Sequence, residues 1–433
     1  MPTISSTPSE LSVSFSVYEK VAGLVRDISV PWAAVAAVSV ESDGLRAARG
    51  IRAPGLGVPG LRKVGTWRRR EGGRMRRTVV SVRRGQPALR IELRGARWDE
   101  LLLGHEGART VAGTLASRRM TTESSPPTAI REHDVRFTSE GATLAGTVCR
   151  PDSPARAAVL LLPGSGPLDR EGSHPRLQVD VSRQLAHALA DRGVASLRYD
   201  KRGVGDSPGD WRAAGVSDLV ADARAARALL ASQPGVDPAR VVVLGHSEGA
   251  LLAAAVAAGD TQLAGVVLLA GAARPGEEVL VQQAERLRDG LPAVLRAVMR
   301  LLRIDLVDRV RGNHRRLKAT TADVARVNGA RVNARWVREY MAHDPVEDIR
   351  RITAPVLAIT GEKDLQVSSD DLDVVRSTAP AEVTVHRIPD LSHTLRRQPG
   401  TPSLRLYREE VRRPVDPEVV GIVTEWVVRH TAA

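Results

Sequence analysis

The chain contains one cysteine, few aromatic residues and no long apolar run. Cys149 is the only cysteine among 433 residues, which excludes an intramolecular disulfide and a zinc site built on cysteines. Aromatic residues make up 3% of the chain, so its cores must be built mainly from Val, Leu, Ile and Ala. No apolar run is long enough to cross a membrane. Because the polar first ten residues carry no signal-peptide pattern, we expect a cytoplasmic location.

The positive charge is concentrated at one end. The net charge is +13, and residues 1–130 carry 21 basic against 11 acidic residues. Arginines at 68–70, with Arg74, Arg76 and Arg77, could contact acidic lipid or nucleic acid. A solvated basic face on a hairpin explains the same run, and no aromatic stacking platform accompanies it. We therefore expect at most a weak contact with an anionic surface, and no specific nucleic-acid partner.

Residues 1–119 predict a small β-rich domain. Residues 87–95 alternate between apolar and polar side chains, which is the period of a half-buried antiparallel strand. The same region predicts strands at 35–40 and 77–82, a loop at 54–60 and a closing helix at 106–118. The segments Arg-Ala-Pro-Gly (52–55) and Gly-Thr-Trp (65–67) make it resemble the bacterial pleckstrin-homology-like domains. Residues 120–132 are polar and contain two prolines, which predicts a linker.

Predicted strands and helices alternate in the remainder, residues 133–433. The continuous apolar run at 157–162 is typical of a strand buried on both faces of a parallel sheet. Further predicted strands lie at 135–138, 144–149, 194–199, 241–244, 265–270, 355–360 and 383–388, with helices at 177–192 and 216–231. This order predicts an α/β fold with a doubly wound, mostly parallel sheet.

The alternation stops between residues 271 and 351. Helical spacing at 277–288, 294–302 and 320–343 predicts a helical cap at about 273–348. Because this insertion precedes the predicted strand 355–360, it could cover a site at the carboxyl ends of the strands. A peripheral helical decoration is the alternative interpretation.

Five residues carry the clearest chemical signal: Gly245-His246-Ser247-Glu248-Gly249. They follow an apolar β-branched run and precede a run of good helix formers. Strand, sharp turn and helix are the setting that a G-x-S-x-G nucleophile elbow requires. The motif alone is weak evidence, because it carries a real risk of a chance match, so its context decides. The context predicts Ser247 as a nucleophile.

A serine nucleophile needs a base and an acid that orients the base. Asp364 follows the predicted strand 355–360, and His393 follows the strand 383–388, 29 residues later. The order Ser, Asp, His and the position after strands match an α/β-hydrolase triad. The alternatives are Asp370 or Asp371 as the acid and His386 as the base, although His386 falls inside a strand.

These residues make the catalytic half similar to the α/β-hydrolase superfamily. It resembles the carboxylesterase-like members that contain a Gly-Ser-Gly-Pro-x-Asp-Arg segment, here residues 164–170. Segments 200–207 and 361–367 also look like that group, while Glu171 stands where the group more often has Asp. The likeness covers residues 131–430.

The resemblance also implies how an oxyanion would be bound. It implies the backbone N–H of Ser165 as one oxyanion donor, and the other is expected from the N–H of Glu248, the residue after the nucleophile. Four further charged residues are expected to brace their loops rather than to take part in the chemistry: Asp169, Arg170, Asp200 and Arg202.

The predicted reaction is hydrolysis of a carboxylic ester or related acyl compound through an acyl-serine intermediate. No metal-ligand spacing occurs among the ten histidines, and the glycine-rich loop matches no phosphate-binding motif, so no cofactor or metal is expected. Thioesterases, acyltransferases and peptidases share this machinery. A binding scaffold without catalysis is the alternative from a different functional class.

Overall fold

The computed structural model of the chain describes residues 2–6, 10–71, 74–93, 98–123, 130–289 and 305–432. The chain divides into two compact units, Met1–Pro127 and Thr128–Ala433, and the division falls inside the predicted linker. No helix in these described ranges is long and apolar enough to span a bilayer.

The first unit is rich in strands. A three-stranded antiparallel sheet (β1–β2–β3) accompanies a six-stranded sheet in the order β4-β8-β9-β7-β6-β5. Leu89, Ile91 and Leu93 are buried, as the alternation at 87–95 predicts, and Ile91 packs with Val79 and Leu101 in one core. The described elements are β1 Thr3–Ser6, β2 Glu10–Ser14, α1 Val17–Gly23, β3 Ile28–Pro31, β4 Val35–Glu41, α2 Gly44–Ala47, β5 Ile51–Val58, β6 Arg62–Glu71, β7 Arg74–Arg83, β8 Ala88–Leu93, β9 Glu100–Gly104 and α3 Ala108–Glu123.

The predicted loop at 54–60 is wrong, because most of it belongs to β5. This strand lies at the edge of the sheet and pairs only with β6 among the described strands. The register shifts between Arg52 and Gly55, so Pro54 falls in the irregular part of the strand. Proline is tolerated at an edge or a bulge, because no ladder hydrogen bond is lost there.

The second unit is built on an eight-stranded sheet in the order β10-β11-β13-β12-β14-β15-β18-β19. β11 is antiparallel to both of its neighbours, β10 and β13. The remaining pairs, from β13–β12 to β18–β19, are all parallel. The strands are β10 Ile130–Ser139, β11 Ala142–Pro151, β12 Ala158–Leu162, β13 Ala195–Tyr199, β14 Val241–His246, β15 Gly265–Leu269, β16 Val324–Val327, β17 Ala330–Asn333, β18 Val356–Gly361 and β19 Val383–Ile388; β16 and β17 form a separate hairpin.

Helices cover both faces of this sheet. Along β12, Leu160 packs on one side and Val159 and Leu161 on the other, which explains why the whole strand is apolar. The helices are α4 Val181–Ala190, α5 Val216–Ala231, α6 Glu248–Ala257, α7 Gly276–Asp289, α8 Leu306–Lys318, α9 Ala334–Ala342, α10 Pro345–Ile349, α11 Asp371–Thr378, α12 Tyr407–Glu410 and α13 Pro417–His430. The predicted α/β fold with a mostly parallel, doubly wound sheet is confirmed.

The insertion between β15 and β18 contains helices α7, α8 and α9 and the hairpin β16–β17. The single helix predicted at 320–343 is therefore wrong. Asn328 and Gly329 both have positive φ angles, 51° and 82°, and make a two-residue turn of the kind that joins hairpin strands. The helical repeat predicted at 294–302 lies outside the described residues.

Candidate active site

The backbone around Ser247 is a tight turn between β14 and α6. Ser247 has a φ of 58°, an unusual value for a residue with a side chain, and its N–H donates to the Leu269 carbonyl at 2.8 Å. A Cβ on Gly245 would overlap the carbonyl of Gly249, and one on Gly249 would overlap the carbonyl of Leu162. Both glycines of the motif are therefore required by the close approach of neighbouring backbone.

The structure brings the three predicted triad residues together. The His393 Nε2 atom lies 3.0 Å from the Ser247 Oγ atom, and His393 Nδ1 lies 2.7 Å from Asp364 Oδ2. The second carboxylate oxygen, Asp364 Oδ1, accepts the backbone N–H groups of Gln366 and Val367 at 2.7 and 2.9 Å. Asp364 and His393 are both buried. Bonds on both oxygens fix the carboxylate, and the carboxylate in turn fixes the imidazole.

The alternative acids, Asp370 and Asp371, and the alternative base, His386, make other contacts. Asp371 is buried against Arg274, with Oδ1 2.5 Å from the guanidinium Nε, and it also accepts the N–H of Ala273. Asp370 is paired with Arg387 at the surface. His386 lies within β19, opposite Ile359 of β18. Among the described residues, His393 alone links a carboxylate to Ser247.

Two groups hold the His393 loop in place. The His246 Nε2–H donates to the His393 carbonyl at 2.9 Å, since a carbonyl oxygen can only accept. Burial and the neighbouring His393 ring lower the pKa of His246 to about 3, so this imidazole stays neutral. Behind the loop, the buried Glu410 carboxylate accepts bonds from Ser392 at 2.6 Å and Thr394 at 2.8 Å, and from Gln398.

The loop after β12 carries Ser165, the residue expected to supply an oxyanion donor. Its neighbour Gly164 lies so close to Ser247 that a Cβ there would be 3.3 Å from the Ser247 Cβ. Gly166 has a φ of 84°, a value that favours glycine. Ser165 lines the pocket that also contains Ser247 and Glu248.

Salt bridges brace this loop and the next one. Arg170 contacts Asp200 at 2.6 Å and Asp206 at 2.7 Å, and its backbone N–H also donates to Asp200. Arg202 is held by Asp222 at 2.7 Å. The Asp169 carboxylate accepts two backbone N–H groups of its own turn, at 3.0 and 2.9 Å. These side chains hold the loops to themselves, to one another and to α5, as expected for bracing residues.

A buried ion pair connects the loop to the elbow and to the insertion. The Lys201 Nζ atom lies 2.5 Å from Glu248 Oε2 and donates to the Gly164 carbonyl at 2.5 Å. The other Glu248 oxygen accepts the indole N–H of Trp336, in α9. Lys201 and Glu248 are each 5% exposed. Together with Lys201, the Glu248 side chain therefore links the loop after β12 to the insertion.

Sequence analysis missed Lys201 and the role of Trp336. The partners of Lys201 lie 37 and 47 residues away along the chain, so no local pattern could indicate the contact. Asn333 was also missed. Its Oδ1 caps α9 by accepting the Trp336 N–H, and its Nδ2 donates to the carbonyls of Trp211 and Ala214. An asparagine before a helical run was an available signal for that cap.

One cluster in the described residues brings three candidate metal ligands together: Glu132, Cys149 and His187, with ligand atoms within 4.8 Å. Arg198 donates to the same Glu132 oxygen that faces His187, at 2.8 Å. Burial raises the pKa of Cys149 to about 11, which opposes the thiolate that a metal needs. This donor set suits a structural ion pair rather than a metal.

Comparison with known proteins finds relatives and solved structures that are named as hydrolases. It is 28% identical to Esterase EstD of Thermotoga maritima over 275 residues, 63% of this chain and 62% of the relative; this chain thus spans less than two thirds of that protein. Among solved structures, the alpha/beta hydrolase GrgF from Penicillium sp. sh18 is 18% identical (TM-score 0.47; 70% of this chain, 100% of that chain). Est1E from Butyrivibrio proteoclasticus with bound ferulic acid is 17% identical (TM-score 0.47; 69% and 100%).

The family described as "Serine aminopeptidase, S33" matches residues 178–399, just over half of the chain. The matched range runs from the approach to α4 to the segment after His393, and it contains Ser247, Asp364 and the insertion. The chain therefore belongs to the serine aminopeptidase S33 family of α/β-hydrolases.

Proposed function

We propose that the chain is a serine esterase that cleaves a carboxylic ester through an acyl-serine intermediate. The observation that carries the proposal is the continuous hydrogen-bond chain from Ser247 through His393 to Asp364. The likeness to a protein named as an esterase supports the same reaction.

In the proposed reaction, each residue has a distinct role. His393 Nε2 accepts the Ser247 proton as Oγ attacks the ester carbonyl, and Asp364 stabilises the imidazolium that forms. The N–H groups of Ser165 and Glu248 bind the developing oxyanion. His393 returns its proton to the leaving alcohol, and a water then hydrolyses the acyl-serine by the same steps in reverse.

The pocket at Ser247 favours a neutral ester over a peptide with a free amino terminus. An aminopeptidase must pair the substrate's ammonium group, so it needs an uncommitted carboxylate near the nucleophile. Among the described residues that line this pocket, Glu248 is the sole carboxylate, and it is already bonded to Lys201 and Trp336. The remaining lining includes Leu251, Val279, Leu280, Tyr340 and Val367.

Turnover by the purified chain tests the proposal. We expect hydrolysis of p-nitrophenyl butyrate, and much slower cleavage of alanine p-nitroanilide. Asp364→Asn should lower kcat by about 10³–10⁴, because the imidazole loses the partner that sets its tautomer. Asp370→Asn is the matched control and should retain activity. Equal activity of these two variants, or preference for the anilide, would contradict the proposal.

We also propose the weak anionic-surface contact for the first unit. Arg68 and Arg77 lie directly opposite one another on β6 and β7, and both are exposed. Like charges at opposed positions repel, so an anionic surface would relieve that repulsion. A cytoplasmic location stays a prediction.

A further inference from the structure

A second cavity, of about 330 Å³, lies beside the pocket that contains Ser247. We call it the side cavity. It is formed between the loop after β13, helix α5 and the insertion elements β17 and α9. Three residues, Ser165, Glu248 and Trp336, line both the side cavity and the Ser247 pocket. The apolar lining consists of Trp211, Ala214, Leu219, Val332, Trp336 and Val337.

Four of the polar side chains in the wall of the side cavity are already bonded, and two more, Ser165 and Arg331, line it from exposed positions. Lys201 and Glu248 pair with one another, and Arg202 is paired with Asp222 outside the cavity. The Asn333 amide donates to two backbone carbonyls. A polar ligand would find few unused hydrogen-bond partners in this cavity. An apolar group could bind without breaking any of these hydrogen bonds.

The shared wall relates the side cavity to the reaction. Ser165 and Glu248 are the residues whose N–H groups face the developing oxyanion in the proposed function. An ester carbonyl bound between them at Ser247 has two substituents that must leave in different directions. One has room in the Ser247 pocket, and the side cavity offers room on the other side of the shared wall.

We propose that the side cavity is a substrate subsite that binds the apolar arm of the ester. This inference rests on the proposed esterase function and specifies its substrate class, namely esters with an extended hydrocarbon arm. Each methylene that enters the cavity should raise kcat/KM about fourfold, the equivalent of roughly 0.8 kcal/mol, until the cavity is full.

The experiment uses the full chain and variants that fill the side cavity. Ala214→Leu fills it from the loop before α5, and Val337→Phe fills it from α9. Ala228→Leu makes the same change as Ala214→Leu on an exposed position of α5 and serves as the control. Two ester series vary one arm at a time: p-nitrophenyl esters from acetate to octanoate, and acetates of alcohols from methanol to octanol.

In one of the two series, the wild type should prefer longer chains. Both filling variants should lower the ratio of kcat/KM for the longest ester to that for the shortest by tenfold or more, and Ala228→Leu should not. The series that responds identifies whether the acyl or the alcohol arm enters. An unchanged ratio in both series, in variants with wild-type thermal stability, would overturn the subsite.

A binding measurement separates failure of the subsite from failure of the proposed function. 1-Octanol should bind to Ser247→Ala, measured by calorimetry, and its affinity should fall at least tenfold when Ala214→Leu is added. This holds even if the wild type cleaves no ester, an outcome that would refute the esterase alone. Equal octanol binding with and without Ala214→Leu would overturn the subsite.

Discussion

Two oppositely charged residues, Lys201 and Glu248, are buried beside Ser247. They form an ion pair in which each residue is 5% exposed, and Lys201 also donates to the Gly164 carbonyl. Removing one member of such a pair leaves a buried charge, which typically costs about 3–5 kcal/mol. Because the loop held by Lys201 carries Ser165, its loss should also disturb oxyanion binding.

We therefore expect Lys201→Met to lower kcat more than it raises KM. The free energy of unfolding, measured with urea, should fall by about 3–5 kcal/mol. The double variant Lys201→Met/Glu248→Gln should recover part of that stability, because the unpaired charge is gone. If the double variant is less stable than Lys201→Met alone, the ion pair is not what the substitution disrupts.

His246 makes stability depend on pH. Its pKa is about 3 in the folded chain and about 6.5 in an unfolded one, so the unfolded state binds more protons between these values. The free energy of unfolding should therefore rise with pH from about 3 to 6.5, with a contribution of up to ~1.4 kcal/mol per pH unit from this residue. Urea unfolding at pH 4.5 and 6.5 should show a smaller difference for His246→Gln than for the wild type. If the two proteins show the same change in the free energy of unfolding between these pH values, His246 is not its source.

The strand–turn–helix of the elbow depends on its glycines. Gly245→Ala would force the Cβ into the Gly249 carbonyl, so we expect a loss of about 3 kcal/mol and a fall in Tm of roughly 6–12 °C. Gly421→Ala is the matched control, since a Cβ there, in α13, meets open space. This control should be neutral or stabilise the chain by up to ~1 kcal/mol. A Gly245→Ala variant as stable as Gly421→Ala would contradict the elbow geometry.

Sequence patterns predicted the helices and strands of the second unit correctly where apolar residues recur at a regular helical or strand spacing. The helix at 216–231 and the strand at 383–388 have the predicted bounds. The helix predicted at 320–343 failed because helical spacing outweighed the turn signal of Asn328-Gly329, which splits it into a hairpin and α9. The loop predicted at 54–60 failed because Pro54, Gly55 and Gly57 lie in an edge strand, where they are tolerated.

The candidate site was predictable only in part, for a related reason. The elbow is local in sequence, and the chain order of Ser247, Asp364 and His393 supplied the other members. Lys201, Trp336 and the side cavity depend on contacts between distant segments. Those contacts arise from the topology of the sheet and the insertion, which no short pattern encodes.

At the scale of the whole molecule, the second unit should fold and act without the first. Every residue of the proposed triad, both oxyanion donors and the two cores that cover the eight-stranded sheet belong to Thr128–Ala433. A chain beginning at Thr128 should fold and hydrolyse p-nitrophenyl butyrate at close to the full-length rate. Its retention on anionic vesicles should be lower than that of the full chain, and the difference should shrink in salt. Insolubility or inactivity would make the first unit part of the catalytic fold.

Covalent labelling of Ser247 tests the central claim most directly. A fluorophosphonate reacts only with a serine that an adjacent base activates. After incubation with the full chain, mass spectrometry of peptides should find the adduct on Ser247. The adduct should be absent from Ser247→Ala and remain in Ser377→Ala, a serine on the exposed side of α11. Labelling of Ser247→Ala at the wild-type rate would contradict the assignment of the nucleophile.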